Sequence, residues 1–386
     1  MTMRVTFYRT SARALALLST MLVPAVARAQ GSLSVQGFGY PTGQLSTRTL
    51  GTGGALAELD PLSTTNPSAT ANFNGSALYF QIEPEYRTLN FGGATERTTV
   101  ARYPVVVAAV PLTERLFAGL SASSLLDRSF ETVTRGTQVL SDTTLVSTNH
   151  FKSDGALADI RLSLAWVPSA WLHLGVAAHA ITGDNRLSSS QRFDDSTRFA
   201  PVFDSMTVTY AGNAFSAGAE VYTGRVGVLA ASYRRGGSLS LKHAGTTLGQ
   251  ARVPDRLSLS AAYLGVRGSS FAVRTSRDEW TNMRGLGSAG VRITNGWDTS
   301  AGADVLGPRL LGRAFQLRAG ARWRTLPFGV GNSDVSETSY SFGTGTLLAR
   351  GRAALDIAGI HASRTSSGTA AREDAWTLSV GLTVRP

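Results

Sequence analysis

Residues Trp376-Thr377-Leu378-Ser379-Val380-Gly381-Leu382-Thr383-Val384-Arg385 carry an apolar side chain at every even position and a small or polar one at every odd position. In an extended chain successive side chains point to opposite faces. Trp376, Leu378, Val380, Leu382 and Val384 therefore share one face, and Thr377, Ser379, Gly381, Thr383 and Arg385 share the other. A single strand of this kind suits a soluble sandwich as well as a membrane barrel, so its recurrence has to decide between them.

The pattern recurs. Leu78, Phe80 and Ile82 alternate with Tyr79, Gln81 and Glu83, and Ile160, Leu162, Leu164 and Trp166 alternate with Arg161, Ser163 and Ala165. Leu257, Leu259, Ala261 and Tyr263 oppose Arg256, Ser258 and Ser260; Phe315, Leu317, Ala319, Ala321 and Trp323 oppose Gln316, Arg318, Gly320, Arg322 and Arg324. One face of mixed aliphatics ending in Trp suits lipid, and repeated arginine on the other suits a polar lumen. Leu317, Leu378 and Leu382 are thus expected to face lipid. Arg161, Arg256, Arg318, Arg322, Arg324 and Thr383 are expected to face the lumen.

Short connections near 111–115, 167–170, 223–225, 265–269, 306–313 and 349–352 alternate with long polar stretches, expected to be loops, near 90–100, 133–149, 183–204, 236–253, 277–292, 325–336 and 365–372. Between them lie about fourteen strands, with both termini on the short-turn side, as in bacterial outer-membrane barrels. Trp166 and Trp171 flank a short turn, and Trp280, Trp297, Trp323 and Trp376 fall at long-loop ends. All six positions suit an interfacial belt, although Trp171 and Trp280 have inward parity.

Residues 1–29 carry Arg4, Arg9 and Arg13, an apolar run from Ala14 to about Val26, and Ala27-Arg28-Ala29 before Gln30, the layout of a cleaved secretory signal peptide. Its four arginines account for part of the formal charge of +11, leaving +7 on a mature chain that begins near Gln30. The remaining charge is dispersed, without basic runs interleaved with aromatics, so nucleic acid is not an expected partner. No later window reaches the roughly 18 apolar residues of a membrane-spanning helix. With no cysteine, disulfides and thiolate chemistry are excluded.

Residues 45–72 differ from the alternating strands. A Gly-rich turn with Arg48, Gly51, Gly53 and Gly54 leads through small residues to a second turn at Asn66-Pro67-Ser68. The glycine cluster lacks the Lys-Ser/Thr of a phosphate-binding loop, so no nucleotide is expected there. His150, His173, His179, His243 and His361 include no HExxH pair; His173 and His179, six apart on a strand, would stand about 20 Å apart. Inward carboxylates such as Glu83, Glu85, Asp298, Asp304 and Asp356 face inward arginines, which predicts a lumen wall of mutually compensating charge. A Ser–His pair assembled across a barrel wall leaves no local signature.

Arg48-Thr49-Leu50-Gly51-Thr52-Gly53-Gly54-Ala55 followed by Asn66-Pro67-Ser68-Ala69 resembles the opening of the outer-membrane long-chain fatty-acid and hydrocarbon transporters, the FadL-like family. There, a similar Arg-Ala-Leu-Gly-Met-Gly-Gly-Ala run precedes an Asn-Pro-Ala turn before the first barrel strand. Leu326-Pro327-Phe328, Glu337 with Ser339-Tyr340-Ser341-Phe342-Gly343, and Arg372-Glu373-Asp374-Ala375-Trp376 resemble the closing part of such barrels, including distant secretion-associated ones. Thr52 stands in place of the usual Met and Ser68 in place of the usual Ala. The chain ends Val384-Arg385-Pro386 where many barrels end in an aromatic residue recognised by the barrel assembly machinery. The resemblance implies a fourteen-stranded barrel with a lumenal hatch.

The expected architecture is all-β: a signal peptide over 1–29, a hatch or plug over 30–74, and a transmembrane antiparallel barrel over 75–386. It is expected to be a monomer in the outer membrane, in contact with its lipid. By resemblance the expected function is passive uptake of a hydrophobic small-molecule ligand, a fatty acid or hydrocarbon, with no enzyme activity and no cofactor. The alternatives are a non-transporting barrel that holds or shuttles exported proteins and, third, a barrel hydrolase.

Overall fold

The computed structural model describes residues 33 and 35–385 except 74, 92–93, 141–142, 196, 287–290 and 311. The expected signal segment over 1–29 lies outside the described residues. They fall into two compact units, a large one over Ser32–Phe130, Ser153–Leu187 and Met206–Pro386, and a small one that includes Glu131–Lys152 and Ser188–Ser205.

Alternation of apolar and polar residues produces long antiparallel strands. They are β1 (Ala77–Phe91), β2 (Ala94–Arg102, resuming as Val105–Pro111), β3 (Leu116–Asp127, then Phe130–Leu140), β4 (Thr143–Ser169), β5 (Leu172–Phe193), β6 (Val202–Thr223) and β7 (Gly227–His243). There follow β8 (Thr246–Arg252, then Arg256–Tyr263), β9 (Ser270–Asp278), β10 (Gly296–Leu310), β11 (Arg313–Val330), β12 (Ser333–Leu348), β13 (Ala353–Ser366) and β14 (Arg372–Val384). Pro104 and Pro254 lack the N–H a ladder needs and lie in the breaks of β2 and β8. Each strand pairs with its sequence neighbours, and β14 returns to β1 with Leu382 opposite Phe80, closing a barrel of 14 strands. Closure leaves no unpaired edge.

The parity read from sequence holds in the strands. Leu317, Leu378 and Leu382 are 43%, 45% and 40% exposed, whereas Arg318, Arg322 and Thr383 are 7%, 6% and 2% exposed. Exposed Leu78, Phe80, Leu162, Leu229, Leu259 and Val273 extend the same apolar surface around the wall. A closed barrel with an apolar outside and a polar inside is an outer-membrane β-barrel. Leu317→Arg is accordingly expected to lower stability by about 2–4 kcal/mol if it lies near the bilayer midplane. Urea unfolding of the protein refolded into lipid vesicles measures this, and a loss below about 0.5 kcal/mol would contradict the facing.

Two expectations are corrected. Most of the long polar stretches are strand rather than loop: β7 runs through to His243, turns at Ala244-Gly245 and returns as β8 from Thr246, while β11 and β12 meet at Gly331-Asn332. Where neither face needs apolar cover, the backbone ladder continues with Thr, Ser and Arg on both sides, and the alternation that reveals strands disappears. Trp280 is not part of an interfacial belt. It is 5% exposed in a 3-10 helix over Trp280–Leu286, edge-on to Phe38 at 6.1 Å. The other five tryptophans are exposed.

In the small unit, Arg135 Nη2 lies 2.7 Å from Asp194 Oδ2, His150 Nε2 lies 2.6 Å from Glu131 Oε1, and the rings of Phe193 and Phe199 approach to 5.5 Å. These ion pairs are exposed and add little stability.

Candidate functional site

The lumen of a fourteen-stranded barrel is wider than its own side chains can fill. Residues 35–73 run inside it. Ser46 caps a short helix, α1 (Thr47–Gly51), by accepting from Thr49 N–H at 3.1 Å, where the sequence had suggested only a turn. Asp60 ties the segment to itself, accepting from Thr49 Oγ1 at 2.9 Å, from Ser63 Oγ at 3.1 Å and from Ser46 Oγ. Asn66 closes the second turn: its Oδ1 accepts from Ser68 N–H at 3.0 Å and Ser68 Oγ at 2.8 Å, and its Nδ2 donates to Glu58 O at 2.8 Å.

Contacts then reach walls around the ring. Gln44 donates to Ser123 of β3 and Asp159 of β4, Thr47 meets Ser379 of β14, and Arg48 Nε lies 3.2 Å from Asp304 of β10. Glu58 accepts from Ser232 of β7 and Arg274 of β9, Thr70 meets Ser163 of β4, and Asn72 donates to Glu220 of β6. Burial alone raises the Glu58 pKa, but the guanidinium of Arg274, with Arg256 behind it, more than offsets this. Its carboxyl therefore sits below the usual range and stays ionised.

Backbone also meets backbone. A Cβ on Gly302 or Gly320 would overlap the carbonyl group of Thr52, and Gly53, at φ 67°, would carry a Cβ 2.8 Å from Ala321 N. On another part of the wall, a Cβ on Gly175 or Gly218 would overlap the Asn66–Pro67–Ser68 turn. Glycine on the inward face of these strands is what lets the segment lie against them. Gly51 and Gly54 sit less tightly: a Cβ there would lie 3.3 Å from Arg318 and 3.4 Å from Leu45.

The expected lumen arginines are all buried. Arg322 holds Asp298 through Nε at 2.8 Å and Nη2 at 2.6 Å, and Arg318 holds Asp304 at 3.2 Å and Asp356 at 2.6 Å. Arg324 reaches Glu337 at 2.6 Å, Pro41 O at 3.0 Å and the hydroxyl of Tyr40. Arg256 lies 3.7 Å from Asp278, and Arg161, 2% exposed, forms no ion pair among the described residues. Reading the sequence missed Arg364, whose three nitrogens reach Glu85, Glu337 and Glu373 at 2.9, 2.6 and 2.6 Å over the face of Tyr40. It also missed Arg274. Both have the inward parity that marked the other arginines, two positions from Ala362 and from Ala272.

Above this charged belt, toward the long-hairpin end, the lumen changes character. Leu89, Leu126, Leu157, Ile181, Leu239 and Phe328 turn inward from six strands and pack with Leu33 and Phe38 of the segment and with Trp280 and Met283.

No family model matches the chain, and no curated protein matches it in sequence. Solved structures do match in fold. A Pseudomonas aeruginosa FadL homologue superposes with a TM-score of 0.65 at 13% identity, covering 90% of this chain and 99% of the other. It has the FadL-like fold. The Pseudomonas putida toluene transporter TodX gives 0.58 at 12% identity over 88% of this chain and 98% of its own. The Ralstonia pickettii toluene transporter TbuX gives 0.53 at 11% over 89% and 98%. Two of these neighbours are thus toluene transporters and the third a FadL homologue, and at 11–13% identity the likeness is one of fold.

Proposed function

We propose that the protein is a passive channel for hydrophobic small molecules and that residues 33–73 are its plug. The observation that carries this reading is the apolar layer inside the barrel. A barrel that only held an exported protein would have no use for Leu89, Leu126, Leu157, Ile181, Leu239 and Phe328 facing a lumen, where each forgoes lipid contact. Arranged in one layer at the long-hairpin end, they offer an apolar molecule a landing site on its way out of water, worth roughly 25 cal/mol per Å² of ligand surface removed from solvent. Leu33 and Phe38 of the plug occupy the same layer, so ligand entry and plug movement are coupled by direct competition. The charged belt beneath orients the plug and passes no oil by itself.

Cells with and without the intact gene, supplied with a panel of alkanes, monoaromatics and fatty acids, test the reading. Faster uptake of at least one apolar class with the gene is expected. Equal uptake across the whole panel, with the barrel present in the outer membrane, would refute it.

A further inference from the structure

Three adjacent strands bring Asp159 of β4, His179 of β5 and Ser216 of β6 together inside the lumen. His179 Nδ1 lies 2.9 and 3.0 Å from the two oxygens of Asp159, and its Nε2 lies 2.8 Å from Ser216 Oγ. All three are buried, at 1%, 6% and 6% exposure. We propose that Ser216, His179 and Asp159 form a nucleophile, base and acid relay that hydrolyses a carboxylic ester carrying an apolar chain.

The hydrogen-bond chemistry assigns the roles. An ionised carboxylate only accepts, so Nδ1 carries the imidazole proton; Nε2 is then left as an acceptor, and the Ser216 hydroxyl donates to it. That is the ground-state arrangement of a serine activated by histidine. Elsewhere in the lumen, carboxylates such as Asp298 and Glu337 meet guanidinium groups at 2.6 Å. Asp159 instead receives His179 and Gln44 Nε2 at 2.9 Å, and its nearest guanidinium nitrogen, on Arg234, stands off at 3.8 Å. The imidazole, rather than an arginine, is what this carboxylate orients.

Unspent donors flank the relay. Among the described residues, Arg161, two residues from Asp159 on the same face, has no hydrogen bond at Nε or Nη1, and Arg234, the cross-strand neighbour of Ser216, has none at Nη2, which stands 3.8 Å from Asp278. Buried N–H groups of this kind suit the negative oxygen that develops when a carbonyl is attacked. The substrate class follows from the strands themselves. Leu157, Ile181 and Ala214 of the apolar layer are each two residues along from Asp159, His179 and Ser216, about 7 Å away on the same inward face. An acyl chain lodged in that layer presents its ester carbonyl to Ser216.

In the first half-reaction Ser216 Oγ bonds to the carbonyl carbon as its proton passes to His179 Nε2. The ester C–O bond breaks, and the leaving alkoxide takes that proton to depart as an alcohol. Water then adds to the acyl carbon, giving a proton to Nε2. The acyl–Oγ bond breaks, Ser216 recovers the proton, and a carboxylic acid leaves. No oxidation is involved, and water is the one co-reactant. The relay shares the apolar layer with the proposed channel but requires no transport, so the two readings can fail separately.

The test uses the full mature chain, purified in detergent, with a small fluorophosphonate probe and with p-nitrophenyl butyrate and decanoate. A stoichiometric adduct on Ser216, located by mass spectrometry, and p-nitrophenol release are expected. Ser216→Ala and Asp159→Asn should remove release by about 10⁴-fold, to background, with the heat-sensitive gel mobility of a folded barrel retained. His179→Gln should abolish the adduct as well. A folded wild-type barrel with Ser216 unlabelled by the fluorophosphonate would overturn the proposal, as would hydrolysis unchanged in Ser216→Ala.

Discussion

Deleting residues 45–70 is expected to turn a nearly closed barrel into an open, ohmic pore that conducts small ions without selectivity. The removed stretch contains α1, the Gly53 turn and the Asn66-Pro67-Ser68 turn; its polar contacts reach β4, β7, β9, β10 and β14, and Asn66 lies against Gly218 of β6. None of it contributes to the ring of strands, whose pairing runs from β1 round to β14 without it. The wall should therefore still close, while Asp304 and Arg274, now facing water, regain hydration. Single-channel recording in planar bilayers reads the result, with heat-sensitive gel mobility as the check on folding. Gly320→Val provides the same test in a full-length chain, because its side chain needs space taken by the Thr52–Gly53 peptide, whereas Gly359→Ala meets nothing within 4 Å and should stay closed. A deletion and a Gly320→Val protein that both conduct no better than the parent would mean that the segment does not close the pore.

The same contacts show which parts of the protein can be read from sequence. Wherever one strand face must meet lipid, alternation is compulsory, and Leu317 against Arg318, or Leu382 against Thr383, carries its facing openly. Once that requirement lapses, as in β7 and β8 past Gly236, the strand continues but the pattern stops, so polar hairpins pass for loops. Trp280 was misplaced for a related reason: its inward parity was visible, but the ring that receives its edge, Phe38, belongs to a segment with no periodicity. Inward arginines were legible one by one. Their partners were not, since Arg364 reaches Glu85 across 279 residues and Arg324 reaches Tyr40 across 284. The relay of Asp159, His179 and Ser216 falls in the same category, because three separate strands supply one residue each. Glycines at inward parity, such as Gly302 and Gly320, were an available signal for where the segment lies. A small residue facing a lumen too wide to fill implies that something else fills it.

Arg364→Leu is expected to be the most damaging single substitution in the lumen. Its guanidinium is 1% exposed and satisfies Glu85, Glu337 and Glu373 together, so its loss leaves three carboxylates in a confined space. Glu85 keeps Arg87 at 3.0 Å and also Arg102, and Glu337 keeps Arg324 at 2.6 Å. Glu373 is fully buried and loses its bond to Arg364 at 2.6 Å. Removing one partner of a buried pair typically costs about 3–5 kcal/mol, more than the pair contributes over a well-packed apolar replacement. The penalty should therefore be recovered in part by Arg364→Leu combined with Glu373→Leu, which withdraws one carboxylate of the cluster along with the cation it faced. Tyr40 adds a second consequence. The Arg364 and Arg324 guanidinium carbons each lie 4.7 Å from its ring centre, and the Tyr40 hydroxyl donates to Glu337 at 3.0 Å, so this cluster grips the start of the lumenal segment. Arg364→Leu should accordingly raise the frequency of brief channel openings in planar bilayers as well as lowering the urea midpoint in vesicles. A variant as stable as the parent, with unchanged gating, would show that the charges around Tyr40 neither support the wall nor hold the segment that Tyr40 begins.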